Sequence, residues 1–230
     1  MPTIAITGAA GAIGSTTAQV FADAGWTLAL LDYGAENRAA LEEAHPDAHV
    51  AAADLTDSDA AQEAFDALAD AAGGLDAVLS IAGGFAMQAA HEATDADYAR
   101  MMDLNVRTLV NTARAALPHL AANDHSFFLG VSAPGGVNGQ AQAALYAASK
   151  GAVAAYVKSL GAEYAADGLR TSVLYPMGIV DTPANRNAMP DGDPSTWIAP
   201  QELADTMLHL ATRSPQGHLP EARVHASANA

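Results

Sequence analysis

The sequence contains no cysteine, and only two of its ten basic residues are lysines, Lys150 and Lys158. Without cysteine the chain has no disulfide, no thiolate nucleophile and no Cys-ligated metal. Its 26 acidic residues give a formal net charge of −16, which argues against binding to nucleic acid or to anionic membranes. The acidity is spread along the chain, as on the surface of either an ordinary acidic cytosolic protein or one adapted to high salt.

Long apolar runs are also missing. No stretch of about 18 apolar residues is free of charges and helix breakers, so no transmembrane helix is predicted. The first residues, MPTIAITGAAG, lack the basic segment of a signal peptide, and we expect a soluble, cytoplasmic protein. The eight histidines are scattered without ligand spacing, and Pro46 separates His45 from His49, so we expect no bound metal.

Short apolar runs alternate with amphipathic segments of helical length. Strands are predicted at residues 3–7, 27–32, 50–54, 77–81, 126–132, 171–175 and 222–225. Helices are predicted at residues 14–24, 35–44, 58–72, 143–165 and 201–212. This alternation predicts an α/β fold, a doubly wound and mainly parallel sheet of about seven strands with helices on both faces. Because no linker or repeat interrupts it, one Rossmann-like domain is expected over residues 1–230.

Two segments between these elements need separate predictions. Thr94 and Asp97 form a capping-box pattern, which should begin a long helix that ends at about Leu117 because Pro118 follows. Residues 181–197 are rich in Pro, Asn, Asp and Gly and are predicted to be a loop, either a lid over a pocket or a plain surface loop.

A glycine-rich turn joins the first strand to the first helix. Gly8 permits the tight turn, Gly11 lets a pyrophosphate approach the backbone, and Gly14 lets the helix pack against the sheet. The N–H groups at the helix N-terminus would then face the phosphates. The alternative is an ordinary strand-to-helix turn. We predict dinucleotide binding by the residues of the turn, Gly8, Ala10, Gly11, Ala12, Ile13 and Gly14.

Asp32 ends the second predicted strand, at the interval after the glycine turn where dinucleotide-binding folds place an acidic residue. A carboxylate there accepts hydrogen bonds from the adenosine ribose and repels the 2′-phosphate of NADP. The turn has no Arg or Lys, and the nearest downstream basic residue is Arg38. NAD(H) is therefore the predicted cofactor and NADP(H) the alternative; Asp32 could instead cap a helix.

Three neighbouring residues are assigned to the same cofactor site. Tyr33 follows Asp32 directly, Asp54 ends the third predicted strand, and Leu55 comes next. Asp54 and Leu55 are expected at the adenine edge. The alternative is that this Asp-Leu-Thr-Asp segment only begins the next helix.

Tyr146 and Lys150 are one helical turn apart in a segment of strong helix formers, so they share one helical face. A phenol has a pKa of about 10, and an ammonium one turn away favours phenolate and lowers that pKa. Such a pair can exchange a proton with an alcohol oxygen while hydride moves to or from nicotinamide. The alternative is an exposed tyrosine beside a solvated lysine.

A series of motifs runs along the chain in this order: the glycine turn, Ala82-Gly83, Asn105, the Tyr146/Lys150 pair and residues 176–182. Because these motifs occur in the order and at the usual intervals of the short-chain dehydrogenase/reductase family, the sequence resembles that family over nearly the full chain. The resemblance implies an NAD(P)-dependent oxidoreductase that acts on a small carbonyl or alcohol. Tyr146 would be the acid–base, Lys150 would bind the nicotinamide ribose, and Asn105 would hold a water in a proton relay.

Family resemblance also implies which residues lie beside the nicotinamide half of the cofactor. These are Pro176, Gly178, Ile179 and Thr182. Ala82, Gly83 and Gly84 are also expected to bind the cofactor. A homodimer or homotetramer, built on the helices near residues 97–117 and 143–165, is expected on the same ground.

The substrate-polarising serine of this family usually precedes the tyrosine by a fixed interval, and that interval leads here to Ala133. Ser132 is one position too far from Tyr146, but its distance from Asn105 is normal for the family. One extra residue in the loop 135–140 would reconcile both distances. We predict Ser132 as the catalytic donor. The alternative is that Ser132 merely ends a strand.

Two other functions stay open. The Ala82-Gly83-Gly84-Phe85 run and residues 181–190 are similar to dihydropteridine reductase, which has an alanine at the serine position and reduces a quinonoid ring. A non-catalytic dinucleotide-binding sensor is the alternative from another class, suggested by the displaced serine and by Ser80-Ile81, where the family usually has Asn-Asn.

Overall fold

A computed structural model describes residues 1–123 and 125–226. Its seven strands form one sheet in the order β3-β2-β1-β4-β5-β6-β7, and every neighbouring pair is parallel. The strands are β1 Thr3–Thr7, β2 Thr27–Asp32, β3 His49–Ala52, β4 Ala77–Ser80, β5 Phe127–Val131, β6 Arg170–Pro176 and β7 Glu221–Val224. The strand order reverses between β1 and β4, which confirms the predicted Rossmann-like α/β fold.

Helices cover both faces of the sheet. They are α1 Ala12–Asp23, α2 Ala35–Ala44, α3 Ser58–Ala72, α4 Asp95–Met102, α5 Thr108–Leu120, α6 Gly135–Asn138, α7 Ala144–Tyr164, α8 Pro183–Ala188 and α9 Pro200–Thr212. None of the helices in the described part of the chain is long and apolar enough to cross a membrane.

Side-chain alternation along β5 divides the core into two layers. Phe127 and Leu129 pack in the layer that includes residues of α1 and α9, while Phe128 packs in the layer of α3, α5 and α7. A Cβ added to Gly130 would contact Val157 on α7 and Leu109 on α5. Even-numbered residues of β5 therefore face α5 and α7, and this decides where Ser132 points.

The helix predicted from Thr94 to Leu117 is different in the structure. The capping box is present, because the Thr94 hydroxyl accepts from the Asp97 N–H and the Asp97 carboxylate accepts from the Thr94 N–H. A π-helical turn, Asp103–Arg107, then separates α4 from α5. The predicted stop before Pro118 is wrong, because α5 continues through it and buries Leu120 completely. That apolar burial offsets the one backbone hydrogen bond that a proline removes.

Residues 181–197, predicted as a loop, contain α8 and a 3₁₀ turn at Pro194–Thr196. Thr182 caps α8 by accepting from the Asn185 N–H at 3.1 Å, and Pro183 occupies the first helical turn, where its missing N–H costs nothing. The loop prediction is therefore wrong in part, because a capping side chain followed by proline begins a helical turn at Thr182 and again at Asp193.

Candidate active site

The glycines of the turn after β1 are required by close contacts. Gly8 has φ +70°, and a Cβ there would lie 2.8 Å from the backbone nitrogen of Ala82. At Gly14 an added Cβ would lie 2.1 Å from the Gly8 carbonyl oxygen. Any side chain at either position would push β1, β4 and α1 apart, as the glycine roles in a dinucleotide-binding turn require.

The N-terminus of α1 is free to receive an anion. This helix begins at Ala12 with no side-chain cap, and its first turn contains no acidic residue. The first N–H groups of a helix have no partner within it, and the helix dipole is positive at that end. A phosphate group beside the turn would satisfy both the N–H groups and the dipole.

A groove of about 1100 Å³ runs along the carboxyl ends of β1 to β4, and its size is sufficient for a cofactor. Most of the predicted cofactor residues line it: Gly8, Ala10, Gly11, Ala12, Ile13, Gly14, Asp32, Tyr33, Asp54, Leu55, Ala82, Gly83 and Thr182. The other predicted cofactor residues lie outside this lining, namely Gly84, Tyr146, Lys150, Pro176, Gly178 and Ile179. Asn37 also lines the groove, although no pattern in the sequence had indicated it.

The Asp32 carboxylate is held by three hydrogen bonds. One oxygen accepts from the Ala10 N–H at 2.8 Å, and the other accepts from the Tyr33 N–H at 2.7 Å and from the Asn37 amide at 2.8 Å. The alternative of a helix cap is wrong, because the N-cap of α2 is Gly34. Asp32 therefore links the glycine turn to α2 at the groove wall.

Asp54 also has a role other than starting a helix. Its carboxylate accepts from the backbone N–H and the hydroxyl of Thr56, whereas Asp57 caps α3 by accepting from the N–H groups of the helix's first turn. Asp54 and Leu55 both line the groove, and Leu55 is fixed because the amide of Asn111 donates to its carbonyl at 2.9 Å.

Asn105 lies in the π-helical turn and is 1% exposed. Its side chain accepts from the Gly84 N–H and donates to the Gly84 carbonyl, both at 3.0 Å, and also donates to the Ser149 hydroxyl at 3.2 Å. A Cβ at Gly83 would come within 2.6 Å of the Asn105 oxygen. Asn105 thus joins the turn after β4 to α7, and its predicted water-holding role stays a prediction.

Tyr146 and Lys150 lie on α7, and Lys150 is 7% exposed with its ammonium donating to the Val131 carbonyl at 3.0 Å. Burial lowers the pKa of Lys150 to about 8 and raises the pKa of Tyr146 to about 12. The expectation that Lys150 lowers the Tyr146 pKa is therefore wrong for the protein alone, because burial of the phenol dominates.

Ser132 does not fit its predicted role as substrate donor. It is 2% exposed, and its hydroxyl donates to the Lys150 carbonyl at 2.8 Å. The physical reason is the alternation of β5, which turns position 132 toward α7. A hydroxyl has only one proton to donate. Since that proton is bonded to the Lys150 carbonyl, none is left for a substrate.

The arginine of the segment 181–197 is paired within that segment. The guanidinium of Arg186 forms two hydrogen bonds with the Asp181 carboxylate, at 2.6 and 2.7 Å. The charge of Arg186 is therefore balanced beside α8. In residues 1–123 and 125–226, no three His, Asp or Glu side chains are grouped so that they could hold a metal ion.

Comparison with known proteins identifies the family. The sequence model of the short chain dehydrogenase family matches residues 2–192, and the chain belongs to this family. It is 32% identical to cis-4-hydroxycyclohexanecarboxylate dehydrogenase of Sinomonas cyclohexanicum, over 90% of this chain and 88% of that protein. It is 30% identical to sulfoacetaldehyde reductase of Chromohalobacter salexigens, over 91% and 88%.

Solved structures share the fold. The crystal structure of gox2181 superposes with a TM-score of 0.90 at 23% identity, covering 98% of this chain and 94% of the other. For the NADH complex of 3-ketoacyl-(acyl-carrier-protein) reductase from Brucella melitensis, the TM-score is 0.85 at 25% identity, with 97% and 96% covered. The protein is thus an NAD(P)-dependent short-chain oxidoreductase that acts on small alcohol or carbonyl substrates. A specific similarity to dihydropteridine reductase stays a hypothesis.

Proposed function

We propose that the enzyme prefers NAD(H) and reduces a small carbonyl compound, with Tyr146 as the general acid. The observation that carries this proposal is the pair on α7, a half-buried Tyr146 and a buried Lys150, beside the Gly83 end of the groove. A Cβ on Gly83 would lie 3.2 Å from the Lys150 ammonium, so Lys150 reaches the groove wall. We further propose that the whole chain, 1–230, works as one domain, since one sheet includes all seven strands.

The groove residues fit a nicotinamide dinucleotide. The glycine turn and the uncapped N-terminus of α1 would hold the pyrophosphate, and Asp32 would accept from the adenosine ribose hydroxyls. Lys150 would bind the nicotinamide ribose. The bound cofactor supplies or accepts the hydride, while the protein residues position the substrate and move the proton.

Tyr146 carries the proton that the hydride transfer requires. With a pKa of about 12, the phenol keeps its proton at neutral pH and can donate it to the oxygen of a carbonyl as that oxygen gains charge. Alcohol oxidation needs the phenolate, which burial disfavours. The protein alone is therefore set for reduction near neutral pH, and alcohol oxidation should gain rate as the pH rises.

Ser132 is proposed here as a positioning residue, and Tyr146 as the main donor to the substrate oxygen. With Ala133 at the family's usual serine position, no hydroxyl is present at that point of the chain. This observation also favours a second candidate, reduction of a quinonoid ring, because such a ring supplies more of its own driving force. A panel of ketones, quinones and dihydropterins with NADH separates the two candidates.

The NAD(H) preference is supported by the position of Asp32 on the groove wall, where its negative charge would repel a 2′-phosphate. The test is a titration of the protein with NADH and with NADPH, in which cofactor fluorescence reports binding. We expect NADH to bind at least tenfold more tightly, which corresponds to about 1.4 kcal/mol. Equal affinity, or tighter binding of NADPH, would contradict the assignment.

We also propose that the enzyme is a homodimer or a homotetramer. The solvent-facing side of helix α7 carries small residues, including Ala148 and Ala155, which are exposed in the monomer. Small residues let two helices approach closely. Light scattering behind size-exclusion chromatography tests this, and a monomer at micromolar concentration would contradict it.

A further inference from the structure

An aromatic side chain beside the catalytic tyrosine has no role in the function proposed so far. The ring of Phe85 packs edge-to-face on Tyr146, with 4.8 Å between ring centroids and an angle of 85° between the ring planes. Phe85 is nevertheless 55% exposed, although burial of such a ring is favourable. It follows directly on Gly84. The side chain of Asn105 accepts from the Gly84 N–H and donates to the Gly84 carbonyl. A fixed apolar surface therefore stands open next to the phenol.

Positive charge is scarce along the chain segments that form this surface. Residues 83–94, which contain Phe85, have no Lys or Arg, and neither has helix α6. On α7, Lys150 is buried and donates to the Val131 carbonyl, while Lys158 pairs with Glu221. These segments therefore offer an incoming anion no exposed, unpaired cation.

The arginines on the adjoining helices are paired as well. On α4, the guanidinium of Arg100 lies 3.6 Å from the carboxylate of Asp97. On α8, Arg186 forms two hydrogen bonds with Asp181. Within the part of the chain that the structure describes, a charged substrate beside Tyr146 would have to compete with a carboxylate for either arginine.

An anionic substrate would be disfavoured at such a site for two reasons. A carboxylate or sulfonate held against the Phe85 ring gives up part of its hydration, and without a cationic partner this cost is not recovered. The net charge of −16 adds a repulsive field during approach, although salt screens that part. An uncharged ring has neither cost and gains apolar contact with Phe85.

We propose that the enzyme takes an uncharged cyclic ketone or alcohol, whose ring lies against Phe85 while its oxygen faces the Tyr146 hydroxyl. This inference rests on the proposed reductase function. It separates the protein from its two relatives whose names denote anionic substrates, a cyclohexanecarboxylate and a sulfonated aldehyde.

A matched pair of ketones tests the charge preference. Cyclohexanone and 4-oxocyclohexanecarboxylate share one ring and differ in one carboxylate. With NADH, we expect the kcat/KM for cyclohexanone to be at least tenfold higher than that for 4-oxocyclohexanecarboxylate. In 1 M KCl this ratio should stay at least half as large. Equal or better use of the carboxylate overturns the proposal. So does loss of the discrimination in salt, because net charge alone would then explain it.

Variants test the contact with Phe85. Phe85→Ala should lower kcat/KM for cyclohexanone at least tenfold, mainly through KM, and should change kcat/KM for acetone less than threefold. Phe85→Tyr should retain activity with both. Tyr98→Ala is the matched control, since Tyr98 is an aromatic residue of similar exposure, 54%, outside the site. If Phe85→Ala affects both ketones equally, or behaves like the control, the contact does not exist.

Binding without turnover keeps this proposal separate from the proposed function. The thermal shift of the NADH complex is measured with cyclohexanone and with 4-oxocyclohexanecarboxylate. Neither measurement requires catalysis. Stabilisation by cyclohexanone that is lost in Phe85→Ala supports the proposal even if no NADH is oxidised, in which case only the reductase assignment fails. The proposal is overturned if cyclohexanone gives no stabilisation, or if cyclohexanone and 4-oxocyclohexanecarboxylate stabilise the complex equally.

Discussion

The hydroxyl of Ser132 donates to the backbone carbonyl of Lys150 at 2.8 Å, so the serine closest to the expected catalytic position holds α7 against β5. Its side chain supports the turn of helix that carries both Tyr146 and Lys150. This relationship separates a supporting residue from a catalytic one, and the two roles predict different kinetics.

We expect Ser132→Ala to lower kcat/KM for ketone reduction less than tenfold and to cost about 1 kcal/mol of unfolding free energy, the usual contribution of one hydrogen bond. Steady-state kinetics and urea unfolding measure both. A loss of a hundredfold or more with unchanged stability would show that Ser132 donates to the substrate after all. The companion variant Ala133→Ser restores a hydroxyl at the family's usual serine position, and it should raise kcat for ketones.

Burial of Lys150 predicts how stability depends on pH. With its pKa lowered to about 8, the folded protein releases this proton before the unfolded chain does. Below pH 8 the buried charge costs stability, and this cost disappears between about pH 8 and pH 10.5 because only the unfolded chain then holds the proton. In the cofactor-free proteins, the stability advantage of Lys150→Met over the wild type should be about 3 kcal/mol larger at pH 7 than at pH 10.5. The Val131 carbonyl loses its donor in the variant at every pH, which offsets part of that advantage.

Chemical unfolding from pH 6.5 to 10.5 measures this difference, which should fall by about 3 kcal/mol as the pH rises. The ionisation of Tyr146 is common to both proteins and cancels. Lys158→Met is the control, because its pairing with Glu221 raises the pKa of Lys158. That exposed lysine should show no gain on replacement at neutral pH. A Lys150→Met difference that is independent of pH would contradict the burial argument.

Asn37 predicts a specific effect on cofactor choice. Its amide donates to the same Asp32 oxygen as the Tyr33 N–H, so Asn37→Ala should loosen the carboxylate, which the Ala10 and Tyr33 N–H groups would still hold. We expect NADH affinity to fall about five- to tenfold, which corresponds to about 1 to 1.4 kcal/mol, with little change for NADPH. Arg38→Ala, on the exposed side of α2 and paired with Glu42, should leave NADH affinity unchanged. Equal losses in both variants would remove Asn37 from this role.

Much of the fold could be predicted from the sequence because the strands are unbroken apolar runs. Every predicted strand is present, with small shifts at the ends that are a normal uncertainty for element boundaries. Pro118 was misleading because local propensity favours a stop there, while burial of Leu120 favours one more turn. Local rules cannot weigh that tertiary contact.

The glycine turn and Asp32 could be placed beside the groove from the sequence, because the predicted cofactor chemistry fixes the residue type at those positions. Asn37 was missed because its role depends on how α2 is rotated against β2. The choice between Ser132 and Ala133 depended on the alternation of β5, which sequence intervals alone do not give. The direction of the Tyr146 pKa shift depended on burial, whereas the sequence shows only that a lysine is one turn away.

The most direct test of the proposed chemistry is the Tyr146→Phe variant, which removes the proton donor and leaves the ring contact with Phe85 possible. We measure kcat/KM for NADH-dependent reduction of cyclohexanone, with NADH affinity as the control for folding. We predict a fall of at least a hundredfold, the usual contribution of general acid catalysis, with NADH affinity changed less than twofold. Activity that stays within tenfold of the wild type would contradict the assignment of Tyr146, because another group would then supply the proton.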